Sequence, residues 1–360
     1  MAWSMASVLW CAAVAACGVG AETEDAKATS RRPAVHLGVD NTVGDLLAHP
    51  AFVGFAPLLL PWDDRRYEPT MRLREIGRLL PYHSHVDPAV VVSSLNRMID
   101  DAAAGRTLFL DFYTAAEKEA EPSRRNTGLF FFRGKPGAPF ALIAPGGGFA
   151  YVGALHEGFP FADEISRRGF NAFVLRYRAP RGERVATEDL AEALRYIMKN
   201  AGALGVSTRG YSLWGGSAGA RMAANVGSYG AARFGGATLP PPSAVVMLYT
   251  GHSDVAASEP PTFVAVGADD GIASPATMER RVAALRKAGT DVEYHRYPRV
   301  GHGFGLGVGT SAEGWIADAI RFWEKDIGRS GHIQQGQKGR HAYWGSAASR
   351  SPRSATARWA

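Results

Sequence analysis

The sequence predicts an α/β protein, with a mostly parallel sheet covered by helices on both faces and a helical extension ahead of it. Three observations carry this expectation. From Phe140 onward, apolar runs of strand length alternate with longer amphipathic stretches. Repeated strand–helix units of that length need right-handed crossovers, which lay the strands parallel and cover both faces. Finally, the chain has 360 residues, 46% hydrophobic and 21% charged, which suits a folded protein with a sizeable core.

Along the chain, Ala6 to Val19 is small or apolar and the first acid is Glu22. This resembles an export signal over residues 1–21 with a cleavage site at Val19-Gly20-Ala21, although no Lys or Arg precedes the apolar run. Val14-Ala15-Ala16-Cys17 also resembles a lipoprotein box, which would place a lipid anchor on Cys17. The expectation is an exported protein, periplasmic or secreted. The competing reading, a mis-set start or an Ala-rich helix, leaves it cytoplasmic. Cys11 and Cys17 are the two cysteines, so a mature chain would hold no disulfide and no thiol nucleophile.

Residues 22–39 read as a tether and 40–105 as a helical extension. There Met71, Leu73, Ile76, Leu79 and Leu80 recur at helical spacing, and Asp87-Pro88 starts a helix running to Gly105. The main domain is expected over 106–328. Strands at 108–113 and 129–132 form an antiparallel hairpin. Further strands follow at 140–144, 170–177, 211–215, 245–249, 263–266 and 292–297. Helices fall at about 160–168, 188–201, 218–226, around Met278 to Leu285, and at 312–327. Residues 329–360 lose all periodicity and read as a basic disordered tail.

Charge excludes one class of partner. The net charge is +6, but no acid follows Asp326, while Arg329, Lys338, Arg340, Arg350, Arg353 and Arg358 do. Those six equal the whole excess. A neutral body with a basic tail is not the footprint of a nucleic-acid binder. Beyond the first 20 residues no apolar run approaches membrane-spanning length, so no transmembrane span is expected in the mature protein.

The chemistry concentrates in glycine-rich turns after strands. Gly215-Gly216-Ser217-Ala218-Gly219 lies between an expected strand and an expected helix, the setting of a nucleophile elbow that lifts a serine oxygen out of a sheet. Such a serine needs a base, and the base an orienting acid, on loops after later strands and in the order Asp then His. Asp270, in Gly267-Ala268-Asp269-Asp270-Gly271, and His302, in Gly301-His302-Gly303-Phe304-Gly305, satisfy that order. Asp269 reads as a turn or solvent residue. His252 precedes the acid, and His295 lies within a strand. Oxyanion donors are expected from the N–H of Ala218 and from the loop Pro145-Gly146-Gly147-Gly148-Phe149, with Gly147 and Gly148 as the choices. That loop lacks the spacing of a phosphate cradle.

On these residues, the chain from about Phe140 to Phe322 resembles the α/β-hydrolase superfamily. It is most similar to the branch of acetylxylan-esterase-like and feruloyl-esterase-like proteins. Pro145 departs from the His that many relatives carry before the glycines. The resemblance implies a serine esterase for short acyl groups, among them acetyl on a carbohydrate, with Ser217, His302 and Asp270 catalytic and no cofactor or metal. The alternatives are a serine peptidase of the prolyl-oligopeptidase type, an acyltransferase, or a non-catalytic binding protein. Residues 40–105 are too few for the propeller of that peptidase type.

Other groups have plainer readings. His83-Ser84-His85-Val86-Asp87 begins like a metal-hydrolase box, but Pro88 follows and Asp87 reads as a helix cap. Tyr151, His156 and Glu157 read either as pocket lining or as surface loop. Trp214 reads as core, and Tyr177 with Arg178 as a brace at the sheet edge.

Overall fold

The structure, a computed structural model, describes residues 34–327. The expected signal segment with Cys17, most of the expected tether and the basic tail lie outside the described residues. Eight strands form one sheet: β1 (Phe109–Leu110), β2 (Gly128–Phe132), β3 (Phe140–Ala144), β4 (Asn171–Arg176), β5 (Ser212–Gly216), β6 (Ala244–Leu248), β7 (Thr262–Gly267) and β8 (Val292–Tyr297). Their order is β1-β2-β4-β3-β5-β6-β7-β8. From β4 to β8 all neighbours pair in parallel. At the other edge β2 runs antiparallel to both β4 and β1. Every residue of β2 to β7 is buried, as strands covered on both faces must be, whereas the edge strand β8 is half-buried.

The covering helices are α1 (Val43–Ala48), α2 (Pro88–Ala103), α3 (Ala115–Ala120), α4 (Phe159–Arg167), α5 (Gly182–Lys199), α6 (Ala201–Leu204), α7 (Ala218–Tyr229), α8 (Pro275–Lys287) and α9, residues 315–327. Trp315 of α9 meets Phe161 of α4 edge-on at 5.2 Å. Trp214 of β5 lies 6.3 Å from both Trp315 and Trp323, so it belongs to the core. No helix among the described residues is long and apolar enough to cross a membrane.

Several local differences from the sequence reading have physical causes. The strand expected at 108–113 pairs over two residues only. Beyond them Tyr113 turns inward and its hydroxyl donates to Asp189 at 2.7 Å. Helix α3 was not expected because it buries no residue and so has no apolar period; a Thr114–Glu117 capping box marks it. Helix α5 begins six residues before 188, its first turn being the polar Glu183 and Arg184. The 71–80 stretch is a 3₁₀ helix, Leu73–Leu79, whose buried Leu73 and Ile76 are three apart, one 3₁₀ turn. Leu37, inside the expected tether, is 6% exposed, and its N–H and C=O both bond Asn96 on α2. Helix α2 starts as expected: the Asp87 carboxylate accepts the Ala89 N–H at 2.8 Å, and Pro88 fills the first helical position.

Candidate active site

Parallel strands end at a common edge, and three of these ends carry the residues singled out above. After β5 the chain turns sharply into α7 through Ser217, at φ +50° and ψ −115°. A non-glycine residue there is strained, typically by about 1–3 kcal/mol. Packing around the turn holds it. The Ser217 N–H donates to Leu248 O of β6 at 2.9 Å. The neighbouring glycines leave no room for a side chain: a Cβ on Gly215 would lie 2.2 Å from the backbone of Gly219, and one on Gly219 only 1.8 Å from Ala144 O of β3. Strand, turn and helix therefore close tightly, with the serine oxygen presented outward and half-buried.

Asp270 follows β7 and His302 follows β8. His302 Nδ1 lies 2.8 Å from Asp270 Oδ2, and its Nε2 lies 2.8 Å from Ser217 Oγ. An ionised carboxylate only accepts, so Nδ1 carries the proton and Nε2 is left to accept from the serine hydroxyl. Asp270 is fixed through its other oxygen, which accepts the N–H groups of Ile272 at 2.8 Å and Ala273 at 2.7 Å. Its side chain is buried, while Asp269 is exposed. The arrangement can move a proton from a serine hydroxyl to an imidazole and hold the imidazolium against a buried charge.

The loop after β3 closes the constellation. Gly147 at φ +132° and Gly148 at φ +63° adopt backbone that L side chains avoid. A Cβ on Gly146 would lie 3.0 Å from Ser217 Cβ, so the loop is in contact with the serine. Among the described residues no backbone carbonyl takes the N–H of Gly147, Gly148 or Ala218. Tyr177, from the end of β4, supports the loop through a 2.7 Å bond to Pro145 O. Arg178 beside it is held by Asp189 of α5.

These features invite comparison with known proteins. A solved acetyl ester-xyloside bifunctional hydrolase from Caldicellulosiruptor lactoaceticus superposes with a TM-score of 0.52 at 21% identity, over 60% of this chain and 95% of that one. The chain has the α/β-hydrolase fold. A sugar hydrolase from Lactococcus lactis shares it with a TM-score of 0.50 at 19% identity, over 56% of this chain and 95% of that one. The sequence model of the prolyl oligopeptidase family matches residues 247–330. An acetylxylan esterase of Xylanibacter ruminicola is 21% identical over 227 residues, 55% of this chain. The chain spans about half the length of that curated relative, 47% of it.

On this hydrolase scaffold the other candidates fall into place. His252 is buried beside the Asp254 and Arg281 charges and holds no bond to Ser217. His295, on β8, bonds Glu293 at 2.7 Å. Tyr151, His156 and Glu157 are neither surface nor open pocket: all three are at most 4% exposed. His156 Nε2 donates to Gly303 O at 2.9 Å. His83 and Ser84, far away in sequence, reach the same place. Ser84 Oγ donates to His302 O at 2.6 Å, and His83 Nδ1 is 2.8 Å from Tyr151 OH. Gly303 and Gly305 serve this packing, since a Cβ on either would strike backbone at Tyr82 and His83 or the His156 ring. No periodicity foretold these contacts; the one signal was a polar His-Glu pair close behind the glycine loop.

Burial, then the nearby His83, lowers the pKa of His156 to about 4. The unfolded chain protonates this group near the ordinary 6.5, so its folded form is disfavoured in acid. Its contribution is intact above pH 6.5 and falls as pH drops from 6.5 toward 4, by about 1.4 kcal/mol per pH unit at most. Urea midpoints at pH 7 and pH 5 check this. The loss between them is expected to shrink in His156→Gln, and an unchanged loss would contradict it.

Proposed function

We propose that this protein is a serine carboxylic-ester hydrolase for short acyl esters, with acetyl esters of carbohydrates as its substrate class. The observation that carries the reading is the unbroken Ser217–His302–Asp270 relay, 2.8 Å at each step, beside a glycine loop with unclaimed N–H groups. Ser217 Oγ attacks the ester carbonyl as His302 Nε2 takes its proton. Asp270 keeps the imidazole in the required tautomer and balances the imidazolium. The N–H groups of Gly147, Gly148 and Ala218 receive the charge that develops on the carbonyl oxygen. His302 then protonates the leaving alcohol, leaving an acyl-serine. Water, deprotonated by His302, adds to that acyl group, and collapse returns the acid and the free serine. The acetylxylan esterase relative supports the acetyl-carbohydrate part of the reading.

A second reading is favoured by the prolyl oligopeptidase match, whose residues include Asp270 and His302. The same groups would serve amide cleavage. Initial rates on p-nitrophenyl acetate, p-nitrophenyl octanoate, acetylated xylan and alanyl p-nitroanilide separate the two. The expected order puts acetate at least ten-fold above octanoate, with acetate released from the xylan and the anilide all but inert. Faster turnover of the anilide than of either ester would overturn the esterase reading.

A further inference from the structure

Behind the glycine loop lies a buried carboxylate that the relay does not use. Glu157, fully buried, sits in the π-helical turn Ala154–Gly158 ahead of α4. Its Oε2 accepts the Gly146 N–H at 2.5 Å. Its Oε1 accepts the Tyr249 hydroxyl at 2.9 Å. His83 Nε2 lies 2.9 Å from the same oxygen, at ion-pair distance but outside hydrogen-bond angles. The carboxylate lies directly under the elbow, for a Cβ on Gly216 would fall 2.3 Å from Oε2.

Burying a charge is costly unless partners compensate it, and here they come from three separate parts of the chain. Gly146 belongs to the oxyanion loop. Tyr249 follows β6, and its ring meets the His302 ring edge-on at 5.2 Å. His83 comes from the N-terminal extension, next to Ser84, which holds the His302 carbonyl. Burial alone drives the Glu157 pKa upward, but the neighbouring His83 ring and the Gly146 N–H outweigh it and hold the group below the ordinary carboxylate range. An ionised acceptor makes the stronger bond to an N–H.

We infer that Glu157 is a positioning residue for this active site. By fixing the Gly146 peptide and the Tyr249 ring, it sets the oxyanion loop and His302 against Ser217, and it couples both to His83 of the extension. The inference rests on the esterase reading above. It predicts a penalty confined to the transition state, because small misplacement of preorganised groups costs rate more than ground-state binding.

The test is Glu157→Gln in the full chain, a near-isosteric change that keeps an acceptor for Gly146 and removes the charge. His83→Gln is the second variant, for use if the first does not fold. kcat and KM for p-nitrophenyl acetate are taken per active site titrated with a fluorophosphonate. The inhibition constant of a trifluoromethyl ketone, which forms a tetrahedral oxyanion on the serine, is measured alongside. The expected result is a kcat lower by about 10- to 100-fold, KM within about three-fold, and ketone affinity weakened in proportion to kcat/KM. Wild-type kcat per titrated site, or a loss wholly in KM, would overturn the inference while leaving the esterase reading in place. Activity surviving in Ser217→Ala marks failure of the reading itself.

Discussion

Replacing Ser217 by alanine is expected to lower kcat/KM for p-nitrophenyl acetate by about 10⁴-fold or more, with the fold intact. The size follows from how the relay works. In the proposed mechanism His302 and Asp270 act only through the serine oxygen, so removing that oxygen removes the work of all three together. What remains is substrate binding and the N–H groups of Gly147, Gly148 and Ala218. The alanine fits wherever serine does, because among the described residues the Ser217 Oγ bonds His302 alone. The loss is therefore in kcat, and the thermal midpoint stays within a few degrees. Stopped-flow or steady-state rates on the variant, with circular dichroism for the fold, give the comparison. A variant within ten-fold of the wild type would place the nucleophile elsewhere.

Gly219→Ala is expected to destabilise the folded protein by about 3 kcal/mol or more, beyond the usual cost of a core change. The added carbon would lie 1.8 Å from Ala144 O and 2.9 Å from Pro145 O. Both are backbone atoms of β3 and its following loop, so neither can step aside as a flexible side chain does. Relief requires α7 to lift from the sheet, which spreads the elbow and separates the glycine loop from Ser217. Activity and stability fall together for that reason. Gly202→Ala is the control: that position in α6 has nothing within 4 Å, and alanine there suits a helix. Its urea midpoint is expected to match or exceed the wild type. A Gly219→Ala midpoint equal to the wild type's would show that the strand–helix contact is looser than described.

Much of this fold was legible in the sequence because its strands announce themselves twice. Phe140–Ala144, Ala244–Leu248 and Thr262–Gly267 are short apolar runs, and each ends in a turn rich in glycine or small polar residues. Ser217, Asp270 and His302 were legible for the same reason: each sits one to five residues beyond the end of a strand, in the order that loops on one sheet edge allow. Elements that bury little, such as α3 and the first turn of α5, leave no apolar period to detect. The support around the site was legible only as the polar His156-Glu157 pair behind the glycine loop. Glu157, the adjacent His83 and Ser84, and Tyr249 come from three distant segments, and only three-dimensional closure makes them neighbours. Their residue types gave misleading hints; His83 looked like the start of a metal box, and Glu157 like a loop residue. The glycines around His302 were noticed, but their cause is the approach of Tyr82, His83 and His156, which no local pattern records.

The central claim is that Ser217 is the nucleophile that His302 and Asp270 activate. Its most direct test is to treat the purified protein with a fluorophosphonate and map the adduct by peptide mass spectrometry. The account predicts one phosphonyl group, on Ser217, formed in the wild type and absent after His302→Ala under the same conditions. An adduct on another residue, or labelling of Ser217 that proceeds unchanged without the imidazole, would contradict it.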